Sequence, residues 1–525
     1  MPEIESIRGL DAAPAAPEPA PEPERRAFPV RGTSFSDPDR PPAGLDGGGF
    51  FDPGRIGGAQ AGGGDLVQIR GYVSGNFFVT QRSAIVAPAS DEPQGFETLD
   101  PLPFFGGGSA TLYVGAPVYG DVVYARMALE YLSVPQTTGS SLDILAPAQR
   151  LLLFESAALE VNPLAWTRRL KQPAPRWLSE GFKITAGAFI VPFGLEDEEH
   201  AAPVQWFAIR PQSMSLGRVY PGTWSDLGVA LRWRPTFGGD ARPGGPVRPI
   251  ELDIAVVNSD PCTQTRFIDS LFTQAVTGVV PRCERVLREA ERSDGSGDGG
   301  DQALPIDGGL FGLALDNNAN KSVAVRLRLF PLPAIDVGGS FVTGRHPDGG
   351  GTIPPGGSTA DLEQPRSWRA GAHVSVDADQ LWASERVPLP ALRAELVVGR
   401  DEAAAQDPAA PELTDRGVIG GYAQVAWPLF RRQRTRLPGL IVQYRIDWAD
   451  PDTDVPGVRN GVSLSSQFGD AFVGDEATVA HAFGLRLPAL PRFTLKSEYV
   501  LVREDGGALN QLANDVFVMQ AVVDF

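Results

Sequence analysis

The side chains of this chain best suited to act on other molecules are charged groups that recur at every second position among large apolar residues. In Asp226-Leu-Gly-Val-Ala-Leu-Arg-Trp-Arg234, one face of an extended strand carries Asp226, Arg232 and Arg234, and the other carries Leu227, Val229, Leu231 and Trp233. Arg326 and Arg328 alternate in the same way with Val323, Val325, Leu327 and Leu329. Arg445 and Asp447 alternate with Tyr444, Ile446 and Trp448, and Lys496 and Glu498 with Phe493, Leu495 and Tyr499. Charges fixed along one face of a sheet make and break no bonds. They attract, repel and orient ions and small hydrophilic solutes, and a low-dielectric wall focuses their field. Sorting by alternation assigns Arg70, Arg126, Lys183, Arg232, Arg234, Arg326, Arg328, Arg369, Arg393, Arg445, Arg486 and Lys496 to the water-facing side. Asp226, Glu251, Asp377, Glu395, Asp447, Glu498 and Asp524 are their acidic counterparts.

Other chemistries find little support. The chain has no Gly-x-Ser-x-Gly elbow, phosphate loop or dinucleotide fingerprint, so an enzyme is not expected. His200, His346, His373 and His481 are scattered, and the Asp-rich tracts Asp294–Asp298 and Asp450–Asp454 lack the spacing and closing glutamate of an EF-hand. No metal or cofactor is expected. A formal charge of −18 argues against nucleic acid as a partner. Cys262 and Cys283 lack the further Cys or His of a zinc site. In an oxidising compartment they are expected to form a disulfide, the alternative being two thiols.

The elements that must position these charges are strands. From Val67 onward, segments of about 10 residues with period-two hydrophobicity alternate with turn-rich stretches. About sixteen such segments can be read, from roughly 67–80 to 516–525, with 14–18 as the range. Connections after odd-numbered strands are long and several after even-numbered strands are very short, an asymmetry that a two-sided membrane wall explains and a soluble sandwich does not. No apolar run is long enough for a membrane helix. The expected fold is therefore all-β: a transmembrane antiparallel barrel over residues 65–525, closed by a C-terminal strand ending in Phe525. Residues 1–64, rich in Pro and Gly, are expected to be a disordered periplasmic leader. No signal peptide is visible after Met1, which leaves a secreted all-β binding protein as a rival. Trp233, Trp368, Trp427, Tyr444 and Trp448 are candidates for interfacial aromatic girdles.

The last strand, with Phe517, Met519, Ala521, Val523 and Phe525 on one face, resembles the terminal signal by which bacterial outer-membrane barrels are recognised for assembly. Gly187, Phe189, Pro192, Phe193 and Gly194 resemble the Gly-x-Phe-x-x-Pro-Phe-Gly stretch of phosphate-selective (O/P-type) porins. That family's coiled-coil segment and lysine-rich ladder are not found here, so the resemblance points to a porin more than to phosphate. It implies that the connection after the fifth strand, Leu195 to Ser225, folds inward to narrow a pore. Glu196, Asp197, Glu198 and Glu199 would then face Arg210 and Arg218 across a transverse field; a solvated outer loop is the alternative. The function expected is passive diffusion of small hydrophilic solutes or ions through the cell outer membrane, with modest anion preference. A non-conducting barrel serving as an anchor or assembly scaffold is the rival. Expected partners are outer-membrane lipid, the barrel assembly machinery, small hydrophilic solutes or anions, and further copies of the chain in a homotrimer. Mass spectrometry of the non-reduced protein is expected to show Cys262 bonded to Cys283; two alkylatable thiols would refute the disulfide.

Overall fold

The computed structural model describes residues 67–84, 97–119, 122–134, 149–169, 175, 181–195, 201–215, 219–220, 224–235, 249–258, 321–332, 334–345, 366–382, 388–402, 416–429, 439–450, 453, 477–490, 492–504 and 515–525. The expected leader 1–64 and the cysteines Cys262 and Cys283 lie outside these residues. The strands are β1 (Gln68–Ala84), β2 (Glu97–Tyr119), β3 (Val123–Val134), β4 (Gln149–Val161), β5 (Phe182–Ile190), β6 (Ser225–Trp233), β7 (Ile250–Val257) and β8 (Ser322–Leu332). There follow β9 (Ile335–Arg345), β10 (Arg366–Asp377), β11 (Ala391–Asp401), β12 (Arg416–Pro428), β13 (Ile441–Asp450), β14 (Thr478–Leu490), β15 (Phe493–Glu504) and β16 (Val516–Asp524). Each pairs antiparallel with its neighbour in sequence, and β16 returns to β1, so the sheet is a closed barrel of sixteen strands.

Alternation fixes which face is which. Along β11 buried and more accessible residues alternate without a break, Arg393, Glu395 and Asp401 being buried and Leu392 and Leu396 exposed. Leu327 and Leu329 on β8, Phe341 on β9, Phe483 and Leu485 on β14 and Met519 and Val523 on β16 are likewise exposed. Charge on the inner face and bulky hydrocarbon on the outer is the inverse of a soluble protein, and it suits a wall surrounded by lipid. A one-residue slip anywhere would exchange the two faces, so the pattern also specifies register.

The junction of first and last strands is tight. Gly71 N–H donates to the Phe525 carbonyl at 3.1 Å, and Phe525 N–H donates to the Gly71 carbonyl at 2.9 Å. A Cβ on Gly71 would stand 2.6 Å from the Phe525 ring and 2.5 Å from the Thr111 carbonyl oxygen. The terminal aromatic thus covers a position that has to lack a side chain.

Two features differ from the sequence expectation. The first hairpin is longer: β2 begins at Glu97 rather than near 109 because its upper half pairs with β1 through two register shifts. Pairing with β3 reaches only Ser109↔Leu132, so the stretch carrying Pro101 and Pro103 is an edge, where missing amide hydrogens cost no ladder bond. The connection after β10 also contains a helical turn, Ala378–Trp382, which the period-two pattern did not indicate. A 3-10 turn at Ala165–Arg169 follows β4, where a short helix around Trp166 was expected.

Gly71→Ala and Phe525→Ser should each lower the fraction of chain that migrates as a heat-modifiable barrel on unboiled gels. Gly71→Ala should have the larger effect, because its Cβ also meets backbone. Equal folded fractions in wild type and both variants would show that this junction does not limit assembly.

Candidate functional site

The described residues of the segment between β5 and β6, 191–195, 201–215, 219–220 and 224, lie on the charged face of the barrel and therefore inside it. Of the two glycines in positive-φ conformations here, Gly187 (φ 126°) lies within β5, paired with Ala158 and Gly228, and Gly194 (φ 56°) stands where the chain turns inward. A Cβ at Gly194 would fall 1.6 Å from Glu395 Oε1. The turn therefore depends on glycine both for its backbone angle and for the approach of that carboxylate. Phe193 stacks on Tyr220 with ring centroids 4.1 Å apart, so the two ends of the segment close on each other.

Peptide groups brought into the lumen lose their strand partners, and the wall charges replace them. Glu395 accepts Leu195 N–H at 3.2 Å. Glu498 Oε2 accepts Ala208 N–H and Ile209 N–H, both at 2.9 Å. Asp447 accepts the Ser213 hydroxyl at 2.7 Å. Cations serve the carbonyls: Arg326 donates to Gly194 at 3.2 Å, Arg369 to Val219 at 2.6 Å and Arg445 to Ile209 at 2.8 Å. Arg486 donates to Pro203 at 3.1 Å, and Lys496 to Ala202 at 2.7 Å. Hydrogen bonds to ionised groups are the stronger kind, at about 1.5–3 kcal/mol each. The strands from β8 to β15 thus act as a cradle whose charges hold the segment in place.

Apolar packing completes the cradle. Phe189, Val191, Phe193, Met214, Val219, Tyr220 and Trp224 form one buried cluster with the inner residues Ala255, Val257, Ala324, Val342, Val397 and Val418. Trp206 and Phe207 pack on Ala391, Ala426, Ala480 and Ala482. Arg393 lies 4.5 Å over the Trp206 ring and Arg445 4.6 Å over the Phe207 ring. Space for these groups comes from lumen-facing glycines: a Cβ at Gly371 would meet the Phe193 ring at 3.0 Å, and one at Gly484 the Phe207 ring at 3.0 Å. Aromatics in the connection set against small residues on the inner face were the overlooked sequence signal.

The inner cations also pair with acids of neighbouring strands. Arg232 and Arg326 both bind Asp253 at 2.6 Å, Arg369 binds Asp401 at 2.7 Å, and Arg445 binds Glu498 at 3.3 Å. Arg328 pairs with Asp336, and Arg234 with Glu251 at 3.3 Å. On β3–β5, Glu160 binds Arg126 at 2.6 Å and Lys183 at 3.5 Å. Solvent reaches this last sector more readily: the side chain of Lys183 is 27% exposed and that of Arg232 13%, against 0% for Arg326. Arg70 on β1 is also only partly buried, within electrostatic reach of Tyr124 and of Arg492 in the turn before β15.

Of the residues expected to line a constriction, Arg210 is described and half-buried, its carbonyl accepting from Arg445 at 3.4 Å. Glu196, Asp197, Glu198, Glu199 and Arg218 lie outside the described residues. Among the described residues no group of three or more His, Cys, Asp or Glu is placed to hold a metal ion.

No protein-family model matches the chain, and no curated protein matches it. Solved structures do. The outer-membrane channel DcaP of Acinetobacter baumannii is 11% identical, with a TM-score of 0.42 over 89% of this chain and 99% of that one. OprB of Pseudomonas putida is 8% identical, with a TM-score of 0.44 over 87% and 93%. OmpF of Salmonella typhi is 10% identical, with a TM-score of 0.40 over 88% and 98%. At these values the likeness is one of barrel architecture, which the strand pairing already establishes for this chain.

Gly194→Ala should dislodge the inward segment while leaving the barrel heat-modifiable, read as new protease cleavage between 195 and 224. Adding Glu395→Ala removes the clashing carboxylate and should restore part of the protection. Protection equal to wild type in Gly194→Ala would refute the proposed hold.

Proposed function

We propose that the protein is an outer-membrane diffusion channel for small hydrophilic solutes or ions, with modest anion preference. The observation that carries this reading is the division of the inner wall. Arg326, Arg369, Arg445, Arg486 and Lys496 of strands β8–β15 are directed at the inward segment, while Arg70 on β1, Lys183 on β5 and Arg232 on β6 are more accessible to solvent. Sixteen strands enclose more space than wall side chains can fill, so the segment and this sector together would bound the water path. Its more accessible inner charges, Arg70, Lys183 and Arg232, are cations, and a low-dielectric wall strengthens their field on a passing ion. The acidic excess of the whole chain lies largely in connections beyond the strands, where screening over about 8 Å weakens its reach.

The outer face supports the location. Its hydrocarbon surface requires lipid, and the long connections at one end would face outward from the cell with the short turns in the periplasm. Residues 1–64 are then a periplasmic leader, and association as a homotrimer is compatible with this orientation.

A non-conducting barrel is the second reading. The burial of Arg326, Arg328, Glu498 and Asp447 to 1% or less exposure favours it, because a segment packed so closely closes much of the lumen.

Planar-bilayer recordings separate the two. A channel gives unit conductance steps and, in a salt gradient, a reversal potential on the anion side. The double variant Lys183→Gln/Arg232→Gln should move that potential toward cations, lowering the anion-to-cation permeability ratio a few-fold. A folded barrel without conductance would establish the second reading, and a cation-selective wild type would refute the anion preference.

A further inference from the structure

The cradle around the inward segment contains a buried histidine. His373, on the inner face of β10, has a side chain only 1% exposed. It lies opposite Gly338 of β9 and Glu395 of β11. The missing side chain of Gly338 makes room for the ring, because a Cβ there would stand 2.5 Å from Cε1. Nε2 is 3.4 Å from Asp336 Oδ1, a long contact to a carboxylate already paired with Arg328. Among the described residues Nδ1 has no hydrogen-bond partner. The charged groups around the ring on the inner face are Arg326 and Arg328 of β8, Asp336 of β9, Arg393 and Glu395 of β11, and Arg369 and Asp377 of β10 itself. The same patch anchors the turn at Gly194. One inner-face position along β10, Gly371 receives the Phe193 ring. Opposite Gly371 on β9, Ser340 Oγ accepts Gly194 N–H at 2.9 Å. Opposite Ser340 on β8, Arg326 donates to the Gly194 carbonyl at 3.2 Å. Glu395 accepts Leu195 N–H and the Tyr422 hydroxyl, both at 3.2 Å. His373 therefore stands next to four of the groups that fix the start of the inward segment.

We propose that His373 is a positioning residue whose neutral ring the hold on Gly194 requires, so that acid releases the inward segment from the wall. The inference concerns the segment and applies to a conducting and to a closed barrel alike. A neutral imidazole donates from one nitrogen, and the cationic form donates from both. Where Nδ1 stands, a second ring proton has no acceptor, and a buried donor left unsatisfied is costly. The new charge also adds to those of Arg326 and Arg328. Relief requires a neighbouring carboxylate to turn to the ring, either Asp336 away from Arg328 or Glu395 away from Leu195. Both moves disturb the patch that holds Gly194. Once the segment lifts, water can accept from the ring. Proton uptake therefore accompanies release, and release is favoured as pH falls.

Cleavage of the β5–β6 connection by proteinase K tests this in the full-length barrel folded in detergent, with each rate taken relative to a denatured substrate at the same pH. Between about pH 8 and about pH 5, where imidazoles change charge, the relative rate of wild type should rise about tenfold. His373→Gln keeps a neutral side chain at every pH, and its rate should rise less than about twofold, with heat-modifiable migration unchanged. A wild-type rate that does not change with pH overturns the inference without recourse to any variant. So does a full rise retained in His373→Gln. Should that variant not fold, the imidazole resonances of wild type, assigned by replacing His200, His346 and His481 in turn, decide the matter. Titration of His373 together with the rise in cleavage supports the inference, and a ring that stays neutral while cleavage rises overturns it.

Discussion

Everything in this molecule follows from the need to pair backbone groups in a wall that has hydrocarbon against its outer face. A sheet with an open edge would leave a row of N–H and C=O groups unsatisfied in lipid, at a cost of several kcal/mol each. Closure between β1 and β16 removes the edge, and the reciprocal bonds of Gly71 and Phe525 carry that closure to the last residue. Once the ring has sixteen strands its interior is too wide for side chains to fill. The chain resolves this by sending part of itself inside.

That step moves the polar problem from the edge to the lumen. The described residues between 191 and 224 enter with peptide groups that lie outside the strand ladder; some pair within the segment, and the wall meets others with charged side chains. Glu395, Asp447 and Glu498 take the amide and hydroxyl hydrogens, and Arg326, Arg369, Arg445, Arg486 and Lys496 take the carbonyls. A charge buried at a protein interior is costly unless it is both paired and hydrogen-bonded. Arg445 meets both conditions, with Glu498 on one side, Ile209 on another and the Phe207 ring beneath it. The same side chains that resemble a row of selectivity groups in sequence are here positioning groups for a folded segment.

Function follows from what this arrangement leaves uncommitted. The charged contacts to the segment come from strands β8–β15, whereas its contacts to β1–β3 and β16 are apolar, through Tyr72, Phe78, Tyr113, Ala128 and Val522. On the proposed reading, the more accessible cations Arg70, Lys183 and Arg232 are the ones that would act on a passing ion.

Much of this was legible in the sequence. Alternation with period two survives any tertiary context, because a strand must present successive side chains to opposite faces. The strand number and the division into inner and outer faces could therefore be read from residue types alone, whereas the inward course after β5 was an expectation that rested on a family resemblance. The upper half of β2 could not, because Pro101 and Pro103 resemble a turn until the limit of β3 makes that stretch an edge. Nor could the burden carried by each charge. Whether Glu498 repels an anion, pairs with Arg445 or accepts two amide hydrogens depends on a segment almost three hundred positions away in sequence. Only the closed ring brings that segment to it, since alternation specifies a face but not what is placed against that face.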